Sequence, residues 1–193
     1  MHLEWRDVRL TEHATPIETA VTEHETGTLQ ALAAGARVLE VGAGRGYSAI
    51  VMALAGAVEV VSVDSHTIYG GNHLEAYRHE YGVADRIEMI EGDSREVMPE
   101  LFLRGKEYDL VFIDGDHAQA VAESDVRWAY HLVSDRGAIA VHDYAEDCCC
   151  AEVKPAVDKF AQVSVVVDTM AVFSKANYLE KPPITKRLGR VIR

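Results

Sequence analysis

The sequence has few basic residues and no long apolar run. Its 19 lysines and arginines stand against 31 aspartates and glutamates, which gives a formal net charge of -12. Nucleic-acid binding along a broad surface needs a basic face, so we expect no nucleic-acid partner. No apolar run approaches the roughly 20 residues of a membrane span, so no membrane association is expected. The first residues lack the apolar core of a signal peptide, which favours a cytoplasmic protein.

Cysteine is confined to a single place in the chain. The three cysteines, Cys148, Cys149 and Cys150, are adjacent, so they cannot form disulfides between distant parts of the chain. Three neighbouring side chains alone also make an awkward metal site, because successive side chains point apart. We therefore expect reduced thiols, and a redox or metal-binding role is the alternative.

The composition that is present is that of a globular protein, with 48% hydrophobic and 26% charged residues. A chain of 193 residues is long enough for one domain with a full core.

We divide the chain into a lead-in with a helix (1–35), a core (36–176) and a basic tail (177–193). The lead-in helix is predicted to start near Thr15-Pro16. The tail is expected to be solvated, with contact to a partner subunit or an anionic substrate as the alternative.

Strand-like apolar segments alternate with helical segments along the core. The predicted strands are 38–41, 57–64, 86–90, 108–114, 136–141, 163–168 and 170–175. Alternation of strands with helices predicts an α/β fold with a parallel sheet. The last two strands lie close together in sequence, so they are predicted to form an antiparallel hairpin.

The first strand of the core runs into three closely spaced glycines, Gly42, Gly44 and Gly46, and a buried helix follows. Strand, glycine turn and helix together place a ligand against a helix N-terminus. A dinucleotide site has the spacing Gly-x-Gly-x-x-Gly, whereas this turn has Gly-x-Gly-x-Gly. Glu40, just before the turn, would repel a pyrophosphate but could attract an ammonium group, directly or through water. A tight turn without any ligand is the alternative.

Polar residues follow the next two strands. Asp64 ends the second strand, where a carboxylate can accept hydrogen bonds from both hydroxyls of a ribose. A helix cap is the alternative role for Asp64. After the third strand, Asp93 could accept the adenine amino group, with Ser94 supplying an amide or a hydroxyl. Either residue could also cap the following helix, and the two roles are compatible.

Three motifs carry a resemblance to a known family. They are Val-Leu-Glu-Val-Gly-Ala-Gly-x-Gly at 38–46, Phe-Ile-Asp-Gly-Asp-His at 112–117 and His-Asp-Tyr at 142–144. Together they resemble class I S-adenosylmethionine-dependent methyltransferases, within a group similar to antibiotic-tailoring and catechol-type O-methyltransferases. The resemblance covers about residues 17–175. It implies a Rossmann-like, doubly wound, seven-stranded sheet that is mostly parallel with an antiparallel C-terminal strand pair, and it makes 36–176 the methyltransferase core.

The resemblance also implies a cofactor, a reaction and their residues. S-adenosylmethionine would lie against Glu40, Gly42, Ala43, Gly44, Gly46, Tyr47, Ser48, Asp64, Ser65, Asp93, Ser94 and Asp114. The expected reaction is O-methylation, and the lack of a large insertion favours a small-molecule acceptor or a site shared across a homodimer. A cofactor-binding module without transfer activity is the alternative function. An NAD-dependent oxidoreductase is disfavoured by the glycine spacing and by Glu40.

Two histidines are the candidate catalytic residues. His117 is the first candidate for the base that deprotonates the acceptor, since an unperturbed imidazole pKa of about 6.5 suits neutral conditions. His142 is the second candidate, and a structural role is the alternative for each. In metal-dependent relatives, acids after the fourth and fifth strands hold magnesium, and Asp114 and Asp143 match them. His142 departs from the acid or amide of those relatives, and imidazole suits manganese or zinc better than magnesium.

Overall fold

The computed structural model describes residues 6–12, 14–66, 73–146 and 150–184. The strands are β1 (Arg6–Val8), β2 (Ile17–Thr19), β3 (Arg37–Val41), β4 (Glu59–Asp64), β5 (Ile87–Glu91), β6 (Tyr108–Ile113), β7 (Val133–Val141), β8 (Val165–Val167) and β9 (Met170–Ser174). The helices are α1 (Glu23–Ala33), α2 (Tyr47–Leu54), α3 (His73–Glu80), α4 (Ser94–Leu103), α5 (Gln119–Leu132) and α6 (Val153–Asp158), and a short 3-10 helix spans Lys175–Asn177.

The core is a seven-stranded sheet with the order β5-β4-β3-β6-β7-β9-β8. Strands β3 to β7 are parallel, whereas β9 pairs antiparallel with both β7 and β8. This arrangement confirms the predicted Rossmann-like sheet and its antiparallel C-terminal pair. Because β3 pairs with β4 on one side and with β6 on the other, the strand order reverses there. In open α/β sheets, ligands bind at such a reversal, outside the carboxyl ends of the strands.

The sheet is covered on both faces, which is why its central strands are mostly apolar and buried on both sides. Successive residues of β3 point to opposite faces, so Val38 packs in one buried cluster and Leu39 in the other. The first cluster includes Ile50 of α2, and the second includes Trp128 of α5. Within the described residues, no helix has the length and the apolar character that a membrane span requires.

The lead-in differs from the prediction of a helix near Thr15-Pro16. Residues Ile17–Thr19 form β2, which pairs antiparallel with β1, and the helix begins only at Glu23. The Thr22 hydroxyl accepts a hydrogen bond from the Glu25 amide, and the Glu25 carboxylate accepts one from the Thr22 amide. This reciprocal capping box is a stronger start signal than the proline, so the predicted helix start was wrong.

The beginning of the tail is packed against the core instead of being solvated. The Tyr178 hydroxyl donates to the Val126 carbonyl at 2.6 Å, and the Leu179 amide donates to the Phe160 carbonyl at 2.8 Å. The prediction of a solvated tail is therefore wrong at its first residues. The basic residues Lys186, Arg187, Arg190 and Arg193 lie outside the described residues, as do Cys148 and Cys149.

Candidate active site

A cavity of about 560 Å³ opens at the carboxyl ends of β3, β4 and β6, where the strand order reverses. Its volume falls within the range of small-molecule sites. The predicted site residues that line it are Gly42, Ala43, Gly44, Tyr47, Ser48, Asp64, Ser65, Asp93, Ser94, Asp114, His117, His142 and Asp143. Glu40 and Gly46 are the predicted residues that do not line it. The fold therefore gathers residues that follow five different strands into one space.

Two glycines of the turn after β3 are required by the packing of the protein itself. Gly42 has a φ of +92°, and a Cβ there would lie 2.1 Å from the Asp114 carbonyl oxygen. Gly46 has a φ of +90°, and a Cβ there would lie 2.9 Å from a methyl carbon of Leu74. Only glycine adopts this conformation without strain and leaves room for these neighbours. These two glycines shape the turn and do not by themselves indicate a ligand.

Asp64 supports the glycine turn from the end of β4. One carboxylate oxygen accepts the Gly44 amide at 2.8 Å, and the other accepts the His66 amide at 2.5 Å. In this structure Asp64 therefore fixes a loop and does not cap a helix. Each carboxylate oxygen can accept more than one hydrogen bond, so the residue keeps capacity for a ligand hydroxyl in the cavity.

Glu40 lies beneath the cavity and is fully buried. Its carboxylate accepts hydrogen bonds from the hydroxyls of Ser48, at 2.5 Å, and Ser62. Burial raises the pKa of Glu40 to about 7, against the opposing effect of these two hydrogen bonds. Glu40 thus links β3 to α2 and β4, and its carboxylate does not face the cavity for the expected direct contact with an ammonium group.

Asp93 caps the N-terminus of α4, which is one of the two roles that the sequence allowed for it. Its carboxylate accepts the Arg95 amide at 2.9 Å at the start of α4 and pairs with the Arg95 guanidinium. The Arg95 hydrogen bond is the main reason why the pKa of Asp93 is lowered, although burial opposes it. Asp93 and Ser94 also line the cavity, so contact with adenine stays a prediction.

Two carboxylates and two imidazoles converge at the other side of the cavity. Asp143 Oδ2 lies 2.9 Å from His117 Nε2 and 3.3 Å from His142 Nδ1. Asp114 Oδ1 lies 3.4 Å from His142 Nδ1 and 4.0 Å from His117 Nε2. Asp143 has a φ of +59°, an uncommon conformation for a residue with a side chain. Non-glycine residues in that region often occur at functional sites.

The charges of this cluster change what His117 can do. The carboxylates of Asp114 and Asp143 raise the pKa of His117 to about 10, although burial opposes the shift. His117 therefore carries a proton at neutral pH in this arrangement and is a hydrogen-bond donor. The ordinary pKa expected for His117 is not found in this state of the protein, and its role as the base stays a prediction. Burial alone would lower the pKa of His142, yet its carboxylate neighbours raise it well above its usual value.

Glu25 of α1 belongs to the same network and was missed in the sequence. It is fully buried, and its Oε2 lies 3.2 Å from His142 Nε2. Its other oxygen accepts hydrogen bonds from the amide and the hydroxyl of Thr169. Burial alone would raise the pKa of Glu25, but the imidazole of His142 lowers it to about 2. The capping box of Glu25 is a sequence signal that could have located the start of α1. It could not have revealed the contact with His142, which is 117 positions away in the chain.

The cluster has the donor set of a cation site. Ligand atoms of Asp114, His142 and Asp143 all lie within 4.8 Å of one another. Asp143 is buried, and its Oδ1 has no hydrogen-bond partner among the described residues. Two carboxylates and one imidazole fit a divalent cation, and the imidazole favours manganese over magnesium.

A family model described as a methyltransferase domain matches residues 39–144, more than half of the chain. The chain belongs to this methyltransferase family. The match confirms the resemblance inferred from the motifs. It begins within β3 and ends just after β7, so it includes the glycine turn and both His–Asp motifs. None of the curated proteins that were compared matches the chain.

Solved structures share the methyltransferase fold. Cofactor-bound Rv0187 from MTB is 24% identical, with a TM-score of 0.65 and 79% of each chain covered. An O-methyltransferase from Bacillus cereus in complex with SAH is 19% identical, with a TM-score of 0.61; the match covers 82% of this chain and 78% of that one. TomG from Streptomyces achromogenes, an O-methyltransferase of tomaymycin synthesis in complex with SAM, is 22% identical, with a TM-score of 0.62 and coverage of 82% and 77%.

Proposed function

We propose that this methyltransferase transfers a methyl group from S-adenosylmethionine to an oxygen of a small molecule. The observation that carries this function is that one cavity has the glycine turn and Asp64 on one side and the Asp114–His117–His142–Asp143 cluster on the other. The solved O-methyltransferases from Bacillus cereus and Streptomyces achromogenes, in complex with SAH and SAM, support the same assignment.

The side with the glycine turn is the proposed cofactor site. Asp64 would accept hydrogen bonds from the ribose hydroxyls, and Asp93 or Ser94 would contact the adenine. When bound, the cofactor supplies an activated methyl group on a sulfonium sulfur, so the protein mainly has to position it. Orientation of two reactants can supply much of a rate enhancement.

The side with the His–Asp cluster is the proposed acceptor site. An acceptor hydroxyl must lose its proton before it can attack a methyl group. Protonated His117 would donate a hydrogen bond to that oxygen and favour its deprotonated form, and the proton released from the hydroxyl would pass to solvent water at the open cavity. The carboxylates of Asp114 and Asp143 keep His117 in this protonated state.

A divalent cation on the same carboxylates is the alternative to protonated His117 in the proposed site, because its charge would replace the proton that these carboxylates hold on His117. Asp114, His142 and Asp143 would hold it, and it would supply a positive charge that lowers the pKa of an acceptor hydroxyl. The donor set is mixed, so Mn²⁺ is expected to bind more tightly than Mg²⁺.

Calorimetry and a product assay test the proposed function. We expect S-adenosylmethionine to bind with measurable heat, NAD to give none, and SAH to form with at least one member of a panel of phenols and sugars. Binding of NAD alone would indicate an oxidoreductase. Tight S-adenosylmethionine binding without SAH formation across the panel, with and without Mn²⁺, would favour a binding module. Sedimentation of the same sample tests the predicted homodimer.

A further inference from the structure

A thiol, an imidazole and a carboxylate meet on one wall of the cavity. Cys150 Sγ lies 3.2 Å from His117 Nδ1, and His117 Nε2 lies 2.9 Å from Asp143 Oδ2. One potential ligand atom from each of the three residues lies within 4.8 Å of the other two. All three residues line the cavity.

Folding alone brings these three residues together. His117 follows β6, Asp143 follows β7, and Cys150 precedes α6, so the loops after two neighbouring parallel strands supply two of them. Three adjacent cysteines alone would make an awkward metal site, because successive side chains point apart. This objection does not apply to a site that takes one cysteine and two ligands from distant parts of the chain. Cys150 is only 4% exposed, so its thiol is held at the wall of the cavity.

We propose that Cys150, His117 and Asp143 form a binding site for Zn²⁺ or a similar thiolate-preferring divalent cation. Zinc is bound by thiolate sulfur at about 2.3 Å and by imidazole nitrogen or carboxylate oxygen at about 2.0–2.2 Å. Ligand atoms around such an ion are roughly 3.3–3.6 Å apart. His117 faces Cys150 with Nδ1 and Asp143 with Nε2 and can give only one nitrogen to the ion. The three ligand atoms lie within 4.8 Å of one another, so they would have to move closer by at most about 1.5 Å on binding. Three protein ligands leave the fourth position to the cavity.

The thiol separates this site from the cation site of the proposed function. The group Asp114, His142 and Asp143 offers two carboxylates and an imidazole, whereas the Cys150 group offers the soft sulfur ligand that zinc accepts and magnesium avoids. Asp143 belongs to both groups. A zinc ion at the Cys150 group also engages His117, so on the proposed function it would inhibit methyl transfer.

Direct binding measurements on the reduced full chain, stripped of metal by a chelator, test the site without any methyl acceptor. We expect one equivalent of Co²⁺ to give a thiolate-to-cobalt charge-transfer absorption in the near ultraviolet, and Zn²⁺ to displace the cobalt. Cys150→Ser should abolish this absorption and weaken Zn²⁺ binding more than about tenfold in calorimetry. Absence of the absorption in the wild-type protein, or wild-type Zn²⁺ affinity in Cys150→Ser, would overturn the site.

Two further variants identify the ligands. The Cys148→Ser/Cys149→Ser double variant should keep the absorption, because the thiolate is assigned to Cys150; its loss would overturn that assignment. Asp114→Asn should also keep it, whereas loss of Zn²⁺ binding in Asp114→Asn but not in Cys150→Ser would move the cation to the other group. Circular dichroism shows whether each variant is folded. If Cys150→Ser does not fold, the presence or absence of the cobalt absorption in the wild-type protein tests the site. Binding of S-adenosylmethionine, measured by calorimetry, tests the proposed function separately, because its outcome does not depend on whether the zinc site exists.

Discussion

Glu40 and Glu25 show how surroundings decide the charge of a buried carboxylate. Both are fully buried. Glu40 is surrounded by neutral serine hydroxyls, so burial dominates and raises its pKa to about 7. Glu25 faces His142, and this partner outweighs burial and lowers its pKa to about 2. A motif can therefore indicate where an acid lies without indicating whether it is ionised at neutral pH.

Glu40 makes the stability of the fold depend on pH. Its pKa is raised from 4.5 to about 7, so its contribution to folding is complete below pH 4.5 and is lost as the pH rises through about 7. Glu40→Gln should remove this dependence, which amounts to roughly 3 kcal/mol between pH 4.5 and pH 8. Urea unfolding of both proteins across this range measures it. Glu88→Gln, at an exposed position of β5, is the control and should follow the wild type. Parallel curves for the wild type and Glu40→Gln would contradict the assignment.

His117 is the residue whose removal best separates acceptor chemistry from cofactor binding. His117→Ala should lower turnover by about 100-fold or more, because the acceptor oxygen loses its charged hydrogen-bond donor. The dissociation constant of S-adenosylmethionine should stay the same, because the glycine turn and Asp64 are untouched. Steady-state kinetics and calorimetry give the two values. His79→Ala, on an exposed part of α3, should change neither. Unchanged turnover in His117→Ala would mean that His117 does not act as this hydrogen-bond donor.

At the scale of elements, the turn between β3 and α2 depends on close contact with the end of β6. Gly42→Ala should lower the free energy of unfolding by more than about 3 kcal/mol, because its Cβ would meet the Asp114 carbonyl and its φ is positive. Gly56→Ala is a matched control, since Gly56 has a φ of +96° but nothing within 4 Å of a Cβ. The difference between the two variants, measured by urea unfolding, isolates the close contact. Equal losses would mean that strain alone makes glycine necessary.

Helix α1 reaches the active site through one side chain. Glu25→Gln keeps the capping box, which glutamine also supports, but removes the charge that faces His142. We expect a loss of roughly 3–5 kcal/mol in unfolding free energy, as for other buried ion pairs that lose one partner. Thermal unfolding of Glu25→Gln measures it. Glu23→Gln, exposed on the same helix, should differ from the wild type by less than about 0.5 kcal/mol. A wild-type melting temperature for Glu25→Gln would show that the pair contributes nothing.

The elements of the core could be predicted because each is encoded by a short, continuous pattern. The fourth predicted strand, 108–114, is observed as Tyr108–Ile113, since its apolar run has the length of a buried strand. The β1–β2 hairpin could not be predicted, because its strands have only three residues each, which is too short for an alternation of apolar and polar residues to be recognised in the sequence. The pair Glu25–His142 and the contact Cys150–His117 join distant parts of the chain, so only the fold reveals them.

At the scale of the whole molecule, the central sheet holds both halves of the cavity. The glycine turn follows β3, Asp64 ends β4, and the two His–Asp motifs follow β6 and β7. The parallel pairing of these strands brings their carboxyl ends to one edge. A change in the pairing of β3 with β6 would therefore separate the cofactor side from the acceptor side.

The same sheet predicts that the chain unfolds as one unit. Strand β3 contributes Val38 to one buried cluster and Leu39 to the other, so neither cluster can open while the strand stays paired. In a Trp5→Phe variant, fluorescence reports only Trp128, in the second cluster, whereas far-ultraviolet circular dichroism reports all helices. Both probes should give the same urea midpoint. SAH at 100 times its dissociation constant should stabilise both transitions by about 2.7 kcal/mol, because the cavity exists only in the folded sheet. Different midpoints for the two probes would mean that the two faces of the sheet unfold independently. A shift by SAH of the midpoint reported by only one probe would mean that the cavity depends on only one face.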